Sequence, residues 1–161
     1  MASIAEEFIL LSRQKLRDEY LPRVQVCLEL LGEDDIWWRT HETNNSVGNL
    51  VLHLCGNVRQ WIVAGVGGKE DVRDRPAEFA ARGSVSKELL LEKMKETVRE
   101  ADETLAKLDT ERLSEKLKIQ GYDVTCFGAI FHVVEHFSGH VGQIIYITKM
   151  RTGKDLRFYN L

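Results

Sequence analysis

The sequence predicts an all-α protein, a four-helix bundle with long connections and a kinked first helix. Three observations carry that expectation. Leu91, Met94, Val98, Ala101, Leu105 and Leu108 alternate three and four residues apart over more than two heptads, the seam of a bundle helix. Val47, Leu50, Val51, Leu54, Val58, Trp61 and Ile62 keep helical spacing up to Gly65. The run from Phe127 to Met150 is apolar on two sides: Phe127, Phe131, Val134, Val141 and Ile145 form one stripe, and Ile130, Val133, Phe137, Ile144 and Ile147 another. Such a helix reads as interior. The 161 residues are read as a single domain, 1–161, long enough to bury a sizeable core.

In order, Ile4, Phe8 and Leu11 begin a helical pattern that resumes beyond Pro22 as Val24, Leu28 and Leu31. Proline removes an amide donor and disfavours a helical residue before it, so a kink is expected between Tyr20 and Arg23. Gly32 is expected to end this helix. The stretch 33–46 has no period and reads as a loop, with Trp37 and Trp38 packed in it and His41 exposed. Asn44, Asn45 and Ser46 are N-cap candidates for the second helix, on which Asn49, His53, Asn57 and Gln60 share one polar strip. Residues 65–83 read as a long connection punctuated by glycine and Pro76. Ser84 or Ser86 caps the third helix, whose mixed charges read as a solvated face. Leu117, Ile119, Tyr122 and Val124 around Gly121 suggest a short extended connection or a small hairpin. Thr125 is the cap candidate of the last helix, and Gly153 its stop.

Composition excludes several classes. A net charge of −3 without a lysine or arginine cluster argues against nucleic acid. No apolar run approaches the roughly 20 residues of a membrane span, and two glutamates stand near the start, so a cytoplasmic protein without a membrane partner is expected. Cys27, Cys55 and Cys126 are odd in number and lack CxxC spacing, so they read as core fillers. Gly68 and Lys69 lack the companions of a phosphate loop.

The chemistry lies in the last helix, where His132, His136 and His140 recur every four residues in apolar sequence. Side chains at i and i+4 stack on one helical face, so His136 and His140 could direct ring nitrogens at one ion. A third ligand must come from a neighbouring helix, and His53 is the candidate. Three neutral imidazoles suit zinc, nickel, iron or copper and leave a position open for water or substrate. Asn57 and Gln143, each one turn beyond a candidate ligand, would orient ligands or bind substrate. Gly139 and Gly142 would admit the close approach of a helix or ligand. His132, Glu135 and His136 also spell HxxEH, the inverted zinc-protease motif. That rival leaves His53 and His140 without a task and only 25 residues for a downstream acidic ligand. Otherwise His132 supports the site or packs, and Glu135 bonds a ligand imidazole or Arg59.

The run NNSVGNLVLHLCGNVRQWI with His53, and HVVEHFSGHVGQIIYITKMRTG with His136 and His140, resemble the DinB/YfiT-like superfamily of bacterial four-helix bundles, in a branch without assigned activity. The resemblance covers nearly the whole chain. It implies a divalent metal held by His53, His136 and His140 with water completing the shell. It also implies a thiol S-transferase or related hydrolase acting on a small molecule with a low-molecular-weight thiol. The alternative is a non-catalytic, metal-containing binding or stress-related protein. Many relatives carry aspartate where this chain has Asn57, which cannot act as a base. The resemblance further implies a homodimer, to which Leu156, Phe158, Tyr159 and Leu161 of the tail would contribute.

Overall fold

A computed structural model describes residues 2–158. Tyr159 and Leu161, two of the expected dimer-forming residues, lie outside that range. The first helix comprises α1 (Ile4–Gln14), a π-helical turn (Lys15–Tyr20) and α2 (Leu21–Leu30). Ser3 and Glu6 close a capping box at its start. At the place of the expected kink a π-helical turn interrupts the α-helical ladder: Leu21 stays helical (φ −57°, ψ −48°), and its amide reaches back to Leu16 O. Widening the turn to i→i−5 gives the Pro22 ring room against the preceding carbonyls, so the chain continues as helix. Gly32 is not a left-handed stop. Leu31 is already extended, and Gly32 instead starts α3 (Glu33–Trp37), a short helix in the stretch read as loop.

Ser46 caps α4 (Val47–Val58) in a capping box with Asn49, and a π-helical stretch (Arg59–Val66) prolongs it. The stretch read as bare connection contains α5 (Arg75–Ala80), capped by Asp74 with Pro76 in its first turn. Ser86 caps α6 (Lys87–Ala106), which buries Leu90, Met94, Val98, Ala101 and Leu105 and leaves Leu91 and Leu108 half-buried. A 3-10 turn (Thr110–Ser114) leads to β1 (Lys116–Ile119) and β2 (Tyr122–Thr125), antiparallel with Ile119 opposite Tyr122. Gln120 and Gly121 both take positive φ, 53° and 83°, the geometry of a two-residue hairpin turn. Thr125 caps α7 (Cys126–Thr152), and left-handed Gly153 ends it.

α4 packs on α6 and α7, and the first helix packs on the same two, which closes a four-helix arrangement around one core. α4 lies deepest, with only Leu52 and Gly56 partly exposed. α7 is not the all-round interior helix its composition suggests. Ile130, Val133, Phe137 and Ile144 are buried, but Phe127, Phe131, Tyr146 and Met150 face outward. Gly139 and Gly142 also lie in open space, where an added Cβ would meet nothing, so they admit no helix of this chain. Leu156 and Phe158 are half-buried and pack against the core. All three cysteines are buried, and burial pushes the Cys55 thiol up to about 11, as for inert core fillers. Among the described residues no helix is long and apolar enough to cross a membrane.

Candidate metal centre

α4 and α7 face each other along their polar rows, and this brings His53, His136 and His140 together. One ring nitrogen from each lies within 4.8 Å of the others. His53 Nε2 stands 2.9 Å from His136 Nε2, while the His136 and His140 rings meet edge to face at 4.4 Å. Burial drives all three α7 imidazoles toward the neutral form. His136 is pushed down to about 4, first by burial and then by its imidazole neighbours. Burial also lowers His140, against a hydrogen bond with Gln143 that works the other way, and lowers His132, against the nearby Glu135. Neutral rings present lone pairs, the form a metal requires.

The polar strip on α4 has a second task. Asn49 Nδ2 donates to Glu78 O at 2.9 Å and Ala81 O at 3.1 Å, which satisfies carbonyls at the end of α5. Gln60 holds the other end of the same connection, through Asp71 Oδ2 at 2.6 Å and Arg73 Nη1 at 2.9 Å. Between these anchors Glu78 Oε2 lies 3.0 Å from His53 Nδ1. Arg73 grips Glu78 with two parallel bonds, Nε to Oε1 at 2.7 Å and Nη2 to Oε2 at 2.8 Å. Burial acts to raise the Glu78 pKa, but the bonds to Arg73 and His53 outweigh it and hold the carboxyl below the usual range. Gly56 makes this possible, since a Cβ there would sit 1.8 Å from Glu78 Oε1.

The other candidates separate. Gln143 Oε1 lies 2.7 Å from His140 Nδ1, on the exposed side. Beside it is a surface cavity of about 350 Å³ lined by Thr43, Asn44, Asn45, Leu50, Gln143, Tyr146 and Ile147. Asn57 faces His132, Nδ2 to Nε2 at 3.5 Å, and its Oδ1 is buried without a partner. Trp61 covers the His132 ring at 4.2 Å. Glu135 is exposed and acts on the nearby His132, and of its two expected partners, a ligand imidazole or Arg59, the latter pairs with Glu100 at 2.8 Å. His41 is exposed, as read.

Glu78 and Arg73 were not singled out by sequence reasoning. Asp74 as a cap with Pro76 two residues on was a usable signal for α5, and Gly56 inside a helix hinted at a close approach. Nothing local pairs Glu78 with His53, 25 residues away.

The bundle has the fold of DinB-like proteins, as solved structures show. A conserved protein from Enterococcus faecalis is 20% identical with a TM-score of 0.74, the match covering 90% of this chain and 97% of that one. A DinB-like protein from Bacillus cereus is 13% identical, with a TM-score of 0.67 and coverage of 83% and 87%. The DinB-like protein YjoA from Bacillus subtilis is 18% identical, with a TM-score of 0.65 and coverage of 89% and 94%. The chain belongs to the family described as protein of unknown function (DUF1572), whose profile matches residues 3–161. A search of curated protein sequences returned no match.

Proposed function

We propose that His53, His136 and His140 hold a divalent transition metal, zinc or nickel, in an enzyme that acts on a small substrate as a thiol S-transferase or related hydrolase. The observation that carries this reading is the convergence of three ring nitrogens within 4.8 Å, on rings without a carboxylate among them. A tetrahedral zinc site sets ligand nitrogens about 3.3 Å apart, within easy adjustment of this spread. A bound ion with an open position supplies Lewis acidity that makes a thiol or water more acidic.

The protein's own groups do the rest. Glu78 and Gln143 orient His53 and His140 through their Nδ1 atoms. The cavity beside Gln143, with amide and hydroxyl lining, gives a small polar substrate or a low-molecular-weight thiol a place near His140. The unpartnered Asn57 Oδ1 offers an acceptor in the row one turn from His53.

The test is metal analysis after loading with zinc or nickel, followed by assays of thiol conjugation to a generic electrophile and of ester hydrolysis. One ion per chain and turnover that vanishes in His53→Ala are expected. Absence of any bound transition metal after loading overturns the reading.

One observation favours a non-catalytic metal-containing binding or stress-related protein. Both Glu78 oxygens are held by Arg73, and Asn57 cannot act as a base, so the carboxylate bonded to His53 is not free to move a proton. Stoichiometric metal without turnover on any thiol or water would select it. For either reading we propose a cytoplasmic homodimer, with the outward face of α7 as the contact. Light scattering checks the mass.

A further inference from the structure

The geometry points to Glu78 as the positioning residue that fixes His53 in the Nδ1–H tautomer, leaving Nε2 as its metal-binding atom, with Arg73 and the Gly56 notch as the parts that hold the carboxylate there. This deepens the metal reading and rests on it for its consequence, though not for its geometry.

Two groups compete for His53 Nδ1. Glu78 Oε2, at 3.0 Å, can only accept and therefore asks for a proton on Nδ1. Arg73 Nη2, at 3.1 Å, can only donate and asks for a lone pair there. The second arrangement puts the ring proton on Nε2, the atom facing His136, and makes His53 useless as a ligand on that side. Charge decides between them. Arg73 already donates Nε and Nη2 to Glu78 and Nη1 to Gln60, so its charge is well partnered without the imidazole. A bond from N–H to a buried carboxylate is charge-assisted, whereas a bond to the imidazole lone pair adds little to a guanidinium already in a bidentate pair.

The arrangement is built rather than incidental. Arg73 has only 2% of its side chain exposed, and Glu78 is 8% exposed as a residue. Two buried charges far apart in type from the apolar core around them need a reason, since such a pair contributes little net stability over apolar packing. The connection is already anchored by Asn49 on one side and Gln60 on the other. The carboxylate between those anchors reaches the back of one candidate ligand. His140 receives only the exposed amide of Gln143 at the equivalent atom. The three imidazoles are therefore unequal: His53 is the pre-oriented ligand and His140 the adjustable one.

Two measurements on the full chain test this. In the metal-free protein, long-range proton–nitrogen correlation spectra read the tautomer of His53 directly. A proton on Nδ1 in the wild type, with the Nε2–H form appearing in Glu78→Gln, is expected; Nε2–H in the wild type overturns the assignment. Zinc affinity is then measured by competition with a chromophoric chelator. Glu78→Gln should weaken zinc 10–100-fold, and Gln143→Ala less than about 3-fold. Because Glu78→Gln leaves Arg73 unpaired, the double variant Arg73→Gln/Glu78→Gln supplies a neutral, folded control. A folded double variant that binds zinc as the wild type does overturns the proposal and reduces the pair to an anchor of the connection. If the wild type itself binds no zinc, the metal reading fails, and the tautomer spectrum alone then supports or overturns the role of Glu78.

Discussion

α4 and α7 contribute His53 on one side and His136 and His140 on the other, yet they sit in the protein in opposite ways. α4 is wrapped on all sides: α6 and α7 cover its apolar faces and the 67–85 connection covers its polar strip. α7 keeps one face in the core and the other in water, with its imidazoles along the border. His53 has a carboxylate at its back, while on α7 His140 has the amide of Gln143, His132 has Asn57 and Trp61, and His136 has only imidazole neighbours in the hydrogen bonds and ring contacts described. The difference teaches where rigidity and responsiveness lie in the candidate site: α4 fixes its ligand at the cost of burying an ion pair, and α7 offers ligands that can adjust.

The largest expected effect comes from deleting the two kinds of histidine. His53→Ala removes a 5% exposed ring and strands the Glu78–Arg73 pair against a void, which should cost about 2–4 kcal/mol of metal-free stability. His136→Ala, at the half-open border, should cost less than about 1 kcal/mol, because it also relieves a poorly solvated imidazole. Chemical denaturation of both variants without metal checks this, and equal losses would break the contrast between the helices.

Acid should act through α7. An imidazole in the unfolded chain titrates near the ordinary 6.5, whereas His136 in the fold is pushed down to about 4. Between those values the unfolded chain binds more protons, so stability falls as pH drops through that window. The full shift corresponds to about 3 kcal/mol, an upper bound for a ring only partly shielded from water. The lowered Glu78 pKa adds a loss of the same sign at more acid pH, as its carboxylate is protonated away from Arg73. Denaturation midpoints of the metal-free protein between pH 7 and 4 should decline, and His136→Ala should flatten the upper part of that decline.

Gly56→Ala probes the notch in α4. A methyl group there would overlap Glu78 Oε1, a side-chain terminus that cannot swing away without leaving Arg73. The expected cost is about 1–3 kcal/mol, against the roughly 0.5–1 kcal/mol that alanine would normally gain in a helix. A thermal shift to higher temperature would show that the carboxylate is not tightly held.

How much of this was legible in the sequence differs by the range of the interaction. His136 and His140 followed from helical spacing, a local property, whereas His53 rested on the polar strip of a neighbouring helix and on the family resemblance; Thr125 and Gly153 at the ends of α7, and Ser46 among three cap candidates, were also locally readable. The apolar character of α7 was misread as burial all round, because composition cannot say which neighbours a helix has. Phe127 and Phe131 are apolar yet open to water on a helix whose opposite face is dry. The pairing of Glu78 with His53 depends on how a glycine-rich connection folds back on α4, and no periodicity encodes that path.

The smallest expected effect tests the outward face of α7. Phe131 is 56% exposed, so in an isolated chain Phe131→Ser removes little buried area and should change stability by less than about 0.5 kcal/mol. The same substitution in a dimer closed over this face would place a hydroxyl in an apolar contact and shift the association equilibrium strongly. Stability measured at low protein concentration and mass measured at high concentration separate the two cases. A loss of mass with unchanged monomer stability would mean that the apolar border of α7 is covered by a second copy; His136 and His140 lie about 140° and about 180° around the helix from Phe131, so they would stay at their open border and the contrast between the two helices at the site would persist.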